Sequence, residues 1–131
     1  MLDSLGNLKR THYAGALRAA HEGHSVVLMG WVARRRDLGN LIFIDLRDRE
    51  GIAQIVFNKD QSASAHAKAE TLRSEFVVAV EGRVVRRGKP NPEIATGEVE
   101  VVASALHILN TSVTPPFVIE DEINASEETR L

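Results

Sequence analysis

The chain has 131 residues and a mass of 14.4 kDa, a length that suits one compact domain. Its composition, 44% apolar and 26% charged, is ordinary for a globular protein and argues against disorder throughout the chain. The absence of cysteine excludes disulfides, thiolate metal sites and a cysteine nucleophile. No apolar run approaches the roughly 20 residues that a membrane span needs, and no signal peptide is visible at the start. We therefore expect a cytoplasmic protein without membrane attachment.

The net charge of −2 conceals an uneven distribution of charge along the chain. Residues 120–131 carry five acidic residues and one basic residue, which leaves 15 basic and 13 acidic residues in 1–119. Of the 16 basic residues, 12 are arginine, whose planar guanidinium suits phosphate and base recognition. The body of the chain is therefore mildly basic, as a nucleic-acid-binding surface or an ordinary solvated surface would be.

Apolar periodicity and turn-forming residues divide the chain into predicted elements. Five strands are expected, at 26–36, 41–47, 52–58, 76–86 and 98–109. Two helices are expected, one at 14–21 and one at 62–74, the latter capped by Asp60 or Ser62. Gly51 supplies the positive φ for the turn between the second and third strands, and Pro115 and Pro116 end regular structure before a tail.

This order of elements indicates the fold class. Three strands, a helix and two further strands form the sequence of the oligonucleotide/oligosaccharide-binding (OB) fold, a small five-stranded barrel. We therefore predict an all-β domain with one helix, in which a five-stranded OB-fold barrel has its helix between strands three and four. The predicted organisation is an amino-terminal segment with a short helix (1–24), the barrel (25–112) and an acidic linker (113–131).

The second predicted strand places an aromatic residue on its polar face. Because side chains alternate along a strand, Phe43 shares a face with Asp45 and Arg47, whereas Ile42 and Ile44 point to the core. A loop that covers Phe43 would explain this position. A stacking platform for an unpaired base would explain it equally, since strands two and three and the adjoining loops form the ligand face of OB barrels.

Polar residues on the other strands are placed to complement that aromatic residue. Arg34 and Arg36 lie on one side of the first strand, and Arg87 belongs to a second basic cluster after the fourth strand. Cations beside an aromatic ring are typical of single-stranded nucleic-acid sites. Gln54 offers an amide donor and acceptor to a base edge, and Glu100 has the acceptors for the N–H groups of guanine. Each of these residues, taken alone, equally fits a solvated surface.

A metal-dependent catalytic site is an alternative, since four carboxylates lie close together in the sequence: Asp37, Asp45, Asp48 and Glu50. Their alternation with Arg47 and Arg49 favours ion-paired turn residues instead. The five histidines lack ligand spacing. We therefore expect no metal, no cofactor and no catalytic residue on this chain.

Several segments resemble the amino-terminal anticodon-binding domain of bacterial aspartyl-tRNA synthetases. The longest are GWVARRRDLG (30–39) and LIFIDLRDREG (41–51), and shorter ones are THYAG (11–15), ATGEVEV (95–101) and ASEETRL (125–131). The resemblance covers about 11–131, nearly the whole chain. Related asparaginyl and lysyl enzymes share the barrel and a pattern of arginine and aromatic residues, but not this long motif of arginines and aspartates.

The resemblance implies roles for five residues in binding the anticodon loop of tRNA. The implied anticodon reads G or a modified G, then U, then C. Phe43 matches the aromatic that stacks on the central uridine, and Gln54 matches a glutamine that reads a base edge. Glu100 matches a glutamate placed against the first base. Arg36 matches an arginine that contacts the same part of the RNA, and Arg87 falls at a basic loop position near the anticodon. Val56 departs from family members that carry an aromatic residue at this position.

The resemblance also implies that the chain is the recognition module of a larger ligase and is itself not catalytic. The parent would be a homodimer whose class II catalytic domain uses ATP and magnesium, and this piece is expected to be monomeric. Whether the parent charges only tRNA for aspartate or also tRNA for asparagine stays open, because the two anticodons share their first two bases. A free-standing protein that binds single-stranded nucleic acid through an OB fold is the alternative function.

Overall fold

The computed structural model describes Gly6 and residues 8–111, which form one closed barrel of five strands. The strands are β1 (Ser25–Asp37), β2 (Leu41–Asp48), β3 (Gly51–Asn58), β4 (Val77–Arg86) and β5 (Val99–Asn110). A single α-helix, α1 (Ala63–Ala69), connects β3 to β4. The predicted fold class, a five-stranded OB-fold barrel with its helix between strands three and four, is confirmed. The linker predicted at 113–131 lies outside the described residues.

The strands are arranged around the barrel in the order β1-β2-β3-β5-β4, with β4 returning to β1. The 13-residue β1 makes closure possible because it pairs antiparallel with β2 through one half and with β4 through the other. The β3–β5 pairing is parallel and brief, with Ile55 opposite Val101 and Val56 opposite Val102. This parallel pairing places Glu100 of β5 next to β3.

Alternation along β2 divides core from surface as predicted. Ile42, Ile44 and Leu46 are at most 1% exposed, whereas Phe43 and Asp45 on the opposite face are half-buried. Helix α1 contributes Ala65 and Ala69 to the same core. No helix among the described residues is long and apolar enough to cross a membrane.

The helix predicted at 14–21 is wrong: the structure has two 3₁₀ turns, Ala14–Ala16 and Ala19–His21, separated by extended backbone at Leu17 and Arg18. Tertiary contacts override the local helical preference there. Leu17 is fully buried in the core, and the backbone N–H groups of Ala14 and Gly15 donate to the Asp48 carboxylate at 2.5 and 3.3 Å. These contacts fix the segment against the β2–β3 turn in a shape that a regular α-helix does not have.

Helix α1 is also shorter than the predicted 62–74. After Ala69 the chain tightens into i→i−3 hydrogen bonds, and Glu75 then adopts a positive φ of 78°. The Glu75 N–H donates to the Val32 carbonyl at 2.8 Å, so the chain is already pairing with β1 at this point. Ser62 is the N-cap residue, but its hydroxyl donates to the Ser104 carbonyl instead of a helix N–H group.

Three histidines lie close together near the start of β1, and one of them, His12, is expected to make the stability of the domain depend on pH. The ring centroids of His12 and His21 are 5.0 Å apart, and that of His24 lies 5.6 Å from His21. Burial, and then the charges of His21 and His24, lower the pKa of His12 from 6.5. Because the unfolded chain then binds more protons than the folded one, stability is present above pH 6.5 and is lost as pH falls toward the lowered pKa.

We expect His12→Gln to lose less stability than the unchanged chain when pH falls from about 7.5 to about 5.5. Thermal unfolding of both proteins at the two pH values measures the difference. An identical loss of stability in both proteins would show that His12 does not contribute to the pH dependence.

Candidate nucleic-acid interface

A concave groove of about 220 Å³ lies on the outer face of β2 and β3. One wall is the end of β1, and the other is the connection between β4 and β5. The residues that line it are Arg34, Arg36, Phe43, Asp45, Ile52, Gln54, Arg87, Asn91 and Ile94. Five of the six residues singled out in the sequence therefore line one groove, and the sixth, Glu100, contacts the groove residue Gln54.

A hydrogen-bonded chain of three side chains forms the polar floor of the groove. The Gln54 amide donates through Nε2 to Oε1 of Glu100 at 2.8 Å, and its Oε1 accepts from the guanidinium of Arg87 at 2.9 Å. Gln54 is only 8% exposed, so both contacts fix which end of its amide faces which neighbour. An amide nitrogen carries two hydrogens and its oxygen accepts twice, which leaves one donor and one acceptor position for a ligand.

The aromatic part of the groove combines Phe43 with an arginine. Arg36 lies opposite Phe43 in the β1–β2 register, and its guanidinium carbon is 5.1 Å from the centroid of the Phe43 ring. Phe43 is half-buried, so part of its ring remains accessible. On the other side of Phe43, across the β2–β3 pair, stands Val56, which is 6% exposed. The described groove thus offers one aromatic ring with a cation above it.

The arginine run of β1 is divided between two faces, as alternation predicts. Arg34 and Arg36 line the groove, whereas Arg35 contacts Asp37 and the Glu70 carbonyl at the end of α1. The guanidinium nitrogen Nη1 of Arg35 lies 3.5 Å from Oδ2 of Asp37. Arg35 therefore belongs to a structural contact and not to the groove.

Sequence reasoning missed the contribution of the β4–β5 connection. Asn91 and Ile94 line the groove, because the backbone N–H of Asn91 donates to the Gly97 carbonyl at 2.9 Å and closes the loop on itself. The loop needs Gly97, since a Cβ there would lie 1.6 Å from the Asn91 carbonyl oxygen. The ATG segment (residues 95–97) before β5 was the sequence feature that could have drawn attention to this connection. Its residues do not show, however, that the loop folds over the groove.

The carboxylates that suggested a metal-dependent site are used otherwise. Among residues 6 and 8–111, no group of three or more histidine, aspartate or glutamate side chains is arranged to hold a metal ion. Glu50 lies 3.8 Å from Arg49, which agrees with an ion-paired turn. For Asp48 that interpretation is wrong: it is buried and accepts backbone N–H groups, from Ala14, Gly15 and Glu50.

Comparison with known proteins identifies the family. The family model described as an OB-fold nucleic acid binding domain, of the tRNA anticodon type, matches residues 26–109. The chain belongs to this family. It is 56% identical, over its whole length, to the aspartate–tRNA(Asp/Asn) ligase of Desulfosudis oleivorans, and 59% identical over 94% of its length to the aspartate–tRNA ligase of Listeria monocytogenes. It spans 22% and 21% of the length of these relatives.

A solved structure supports the same assignment. The asparaginyl-tRNA synthetase of Pyrococcus horikoshii, complexed with asparaginyl-adenylate, matches 82% of this chain with a TM-score of 0.69 and 30% identity, through 24% of its own chain. The predicted resemblance to aspartyl-tRNA synthetases is thereby confirmed. The comparisons favour an anticodon-binding OB domain over a free-standing protein that binds single strands.

Proposed function

We propose that this chain binds the anticodon loop of tRNA as the recognition module of an aspartate–tRNA ligase. The catalytic domain would lie outside these 131 residues and would use ATP and magnesium to join aspartate to the tRNA. The observation that carries the proposal is the convergence of Phe43, Gln54, Glu100 and three arginines on one groove of a barrel from the anticodon-binding family. A parent enzyme that is cytoplasmic and dimeric through its catalytic domain is part of the same proposal.

Each group in the groove has chemistry that suits an unpaired base or its phosphate. The exposed part of the Phe43 ring stacks on the central uridine, a contact that contributes about 1–3 kcal/mol per base. The remaining donor and acceptor of Gln54 meet a base edge. The Glu100 carboxylate accepts from the N–H groups of a guanine at the first position. Arg34 and Arg36 contact the phosphates on either side.

The Gln54 contacts explain why this site would select bases instead of merely attracting RNA. An amide that is buried and held by Glu100 and Arg87 cannot rotate freely to accept a mismatched base. A base that fails to pair with it leaves a desolvated polar group without a partner, which costs about 1–3 kcal/mol. Selectivity therefore comes from a preorganised amide, while affinity comes from the ring and the cations.

Binding of anticodon stem-loops by the 131-residue chain tests this function. We expect a stem-loop with the anticodon GUC to bind at least about tenfold more tightly, or about 1.4 kcal/mol, than one whose central U is changed to A. A stem-loop with the anticodon GUU adds a separate arm that tests recognition of the third base. Equal affinity for GUC and GAC would contradict the proposal and favour a general single-strand-binding protein.

A further inference from the structure

A second cluster of aromatic and basic side chains lies outside the groove. The guanidinium carbon of Arg10 is 4.2 Å from the centroid of the Tyr13 ring, and that of Arg49 is 5.6 Å from the same centroid. We call these three residues the Tyr13 patch. Tyr13 is half-buried, whereas the side chain of Arg49 is 69% exposed. The ring thus contacts two guanidinium groups, of which that of Arg49 lies at the surface and that of Arg10 is half-buried.

The Tyr13 patch is attached to the same strands that form the groove. Tyr13 directly precedes the 3₁₀ turn whose N–H groups bind Asp48, so the ring is held against the end of the β2–β3 hairpin. Arg49 stands in the two-residue turn of that hairpin, where Asp48 pairs with Gly51. The Asp48 side chain lies on the core side of β2, so its contacts fix Tyr13 at the end of the hairpin whose outer face forms the groove.

The position of the Tyr13 patch continues the line of the groove. On the outer face of β2, Phe43 and Asp45 are followed by Arg47, which is exposed and pairs with the groove residue Ile52. Arg49 comes two residues later. The strand β2 ends at Asp48, about 10 Å beyond Asp45 at about 3.3 Å per residue, and Arg49 follows in the turn at that end.

The size of the groove leaves part of an RNA ligand uncovered. OB-fold sites extend over roughly 4–16 nucleotides, whereas a groove of about 220 Å³ has room for only a few bases. A strand that leaves the groove along β2 passes over Arg47 and reaches the Tyr13 patch. Phosphates are the groups that such a strand presents at regular intervals, whatever its sequence.

The chemistry of the Tyr13 patch suits a phosphate better than a base. The Tyr13 ring already faces two arginines, and the exposed guanidinium of Arg49 can present its N–H edge for a bidentate contact. The ion pair available to Arg49 is long and solvated, with Nε 3.8 Å from Glu50 Oε2, and such a pair holds its partners weakly. An incoming phosphate therefore displaces little when it meets Arg49.

We propose that the Tyr13 patch is a second RNA contact, in which Arg49 binds the phosphate backbone of the strand that flanks the anticodon loop. Tyr13 is the platform that positions the guanidinium of Arg49, and Arg10 packs against the same ring. This inference rests on the proposed function, and it adds a sequence-independent contact outside the groove that reads the anticodon.

Salt dependence of binding by Arg49→Gln tests the proposal, because that side chain is exposed and its replacement leaves the fold intact. For the GUC stem-loop we expect affinity to fall about three- to tenfold, and the slope of log K against log salt to decrease by about 0.7 for the lost phosphate contact. A loop strand of about three nucleotides, with the sequence GUC, occupies the groove but is too short to reach the Tyr13 patch. Its affinity is expected to be unchanged by Arg49→Gln.

Variants of Tyr13 and a matched basic control complete the experiment. Tyr13→Phe keeps the ring and is expected to bind like the unchanged chain, whereas Tyr13→Leu is expected to lose affinity as Arg49→Gln does. Arg73→Gln removes an exposed arginine from the α1–β4 connection and is expected to leave the salt slope unchanged. Thermal unfolding of Tyr13→Leu separates a lost platform from a damaged fold.

The outcomes distinguish failure of this proposal from failure of the proposed function. If the unchanged chain prefers GUC over GAC but Arg49→Gln keeps the same stem-loop affinity and salt slope, the phosphate contact is wrong and anticodon recognition stands. If Arg49→Gln weakens the loop strand as much as the stem-loop, or if Arg73→Gln matches its effect, the contact with the flanking strand is likewise wrong. If the unchanged chain binds no stem-loop, both proposals fail.

Discussion

Replacing Phe43 with alanine is expected to weaken binding of the GUC stem-loop by about 1–3 kcal/mol, a factor of about 5–150. The ring lies on the outer face of β2, half-buried, and it is the aromatic residue among those that line the groove. Its loss would remove the stacking surface that we propose for the central base, while the core residues Ile42 and Ile44 would keep their packing. Fluorescence anisotropy with labelled stem-loops measures the loss in affinity.

Two conservative variants separate stacking from simple apolar contact at this position. Phe43→Tyr keeps a π-face of the same size and is expected to bind within a few-fold of the unchanged chain. Phe43→Leu keeps apolar bulk without the ring and is expected to bind nearly as weakly as Phe43→Ala. If Phe43→Ala abolishes the thermal unfolding transition, the ring is a core residue and the stacking role is wrong.

The contact between Phe43 and Arg36 contributes to the loss of affinity expected for Phe43→Ala, and this contribution can be measured. The guanidinium of Arg36 lies 5.1 Å from the ring, so truncating Phe43 also releases that cation. A double-mutant cycle with Arg36→Gln isolates the coupling. Additive losses would mean that the ring and the cation act on different parts of the RNA, whereas a coupling would mean that the ring positions the cation.

The sequence predicted the strands well because a barrel enforces alternation. In β2 one face is buried, so a shift of one residue would expose Ile44 and bury Asp45. The same alternation placed Phe43 and Gln54 on the outer face, which is why residues distant in sequence could be assigned to one site. Local pattern is sufficient wherever the strand geometry itself determines the direction of the side chain.

The features that sequence could not predict depend on contacts between distant segments. The 14–21 region has helical periodicity, yet Ala14 is bound to Asp48, 34 residues away, and forms a 3₁₀ turn instead. Asn91 and Ile94 reach the groove through an irregular loop that closes at Gly97. No periodic pattern encodes such a loop, since its shape is set by backbone hydrogen bonds and by one position without a side chain.

The segment 14–21, whose helix was predicted wrongly, is held by Asp48, and replacing Asp48 is expected to cause the largest loss of stability. Asp48→Ala removes the acceptor of three backbone N–H groups, those of Ala14, Gly15 and Glu50, and two of these bonds are buried. Hydrogen bonds to a charged group contribute about 1.5–3 kcal/mol each, and an unsatisfied buried donor costs about 1–3 kcal/mol. We expect a loss of roughly 3 kcal/mol, and thermal unfolding about 10–20 °C lower.

Two variants make this expectation specific to the acceptor. Asp48→Asn keeps one side-chain oxygen and is expected to fall between Asp48→Ala and the unchanged chain. Asp60→Ala removes an exposed turn carboxylate that accepts from Asn40 at 3.2 Å and is expected to change the midpoint little. If Asp48→Ala unfolds at the same temperature as the unchanged chain, then Asp48 does not hold the amino-terminal turn.

The Asp48 variants also connect stability to RNA binding. The backbone bonds to Asp48 hold Tyr13 and Arg49 together, whereas Phe43 and Gln54 lie further along β2 and β3. At a temperature where Asp48→Asn remains folded, we expect weaker stem-loop binding with an unchanged preference for GUC over GAC. Loss of that preference would mean that the amino-terminal turn shapes the groove itself, since we propose that the groove residues distinguish one base from another.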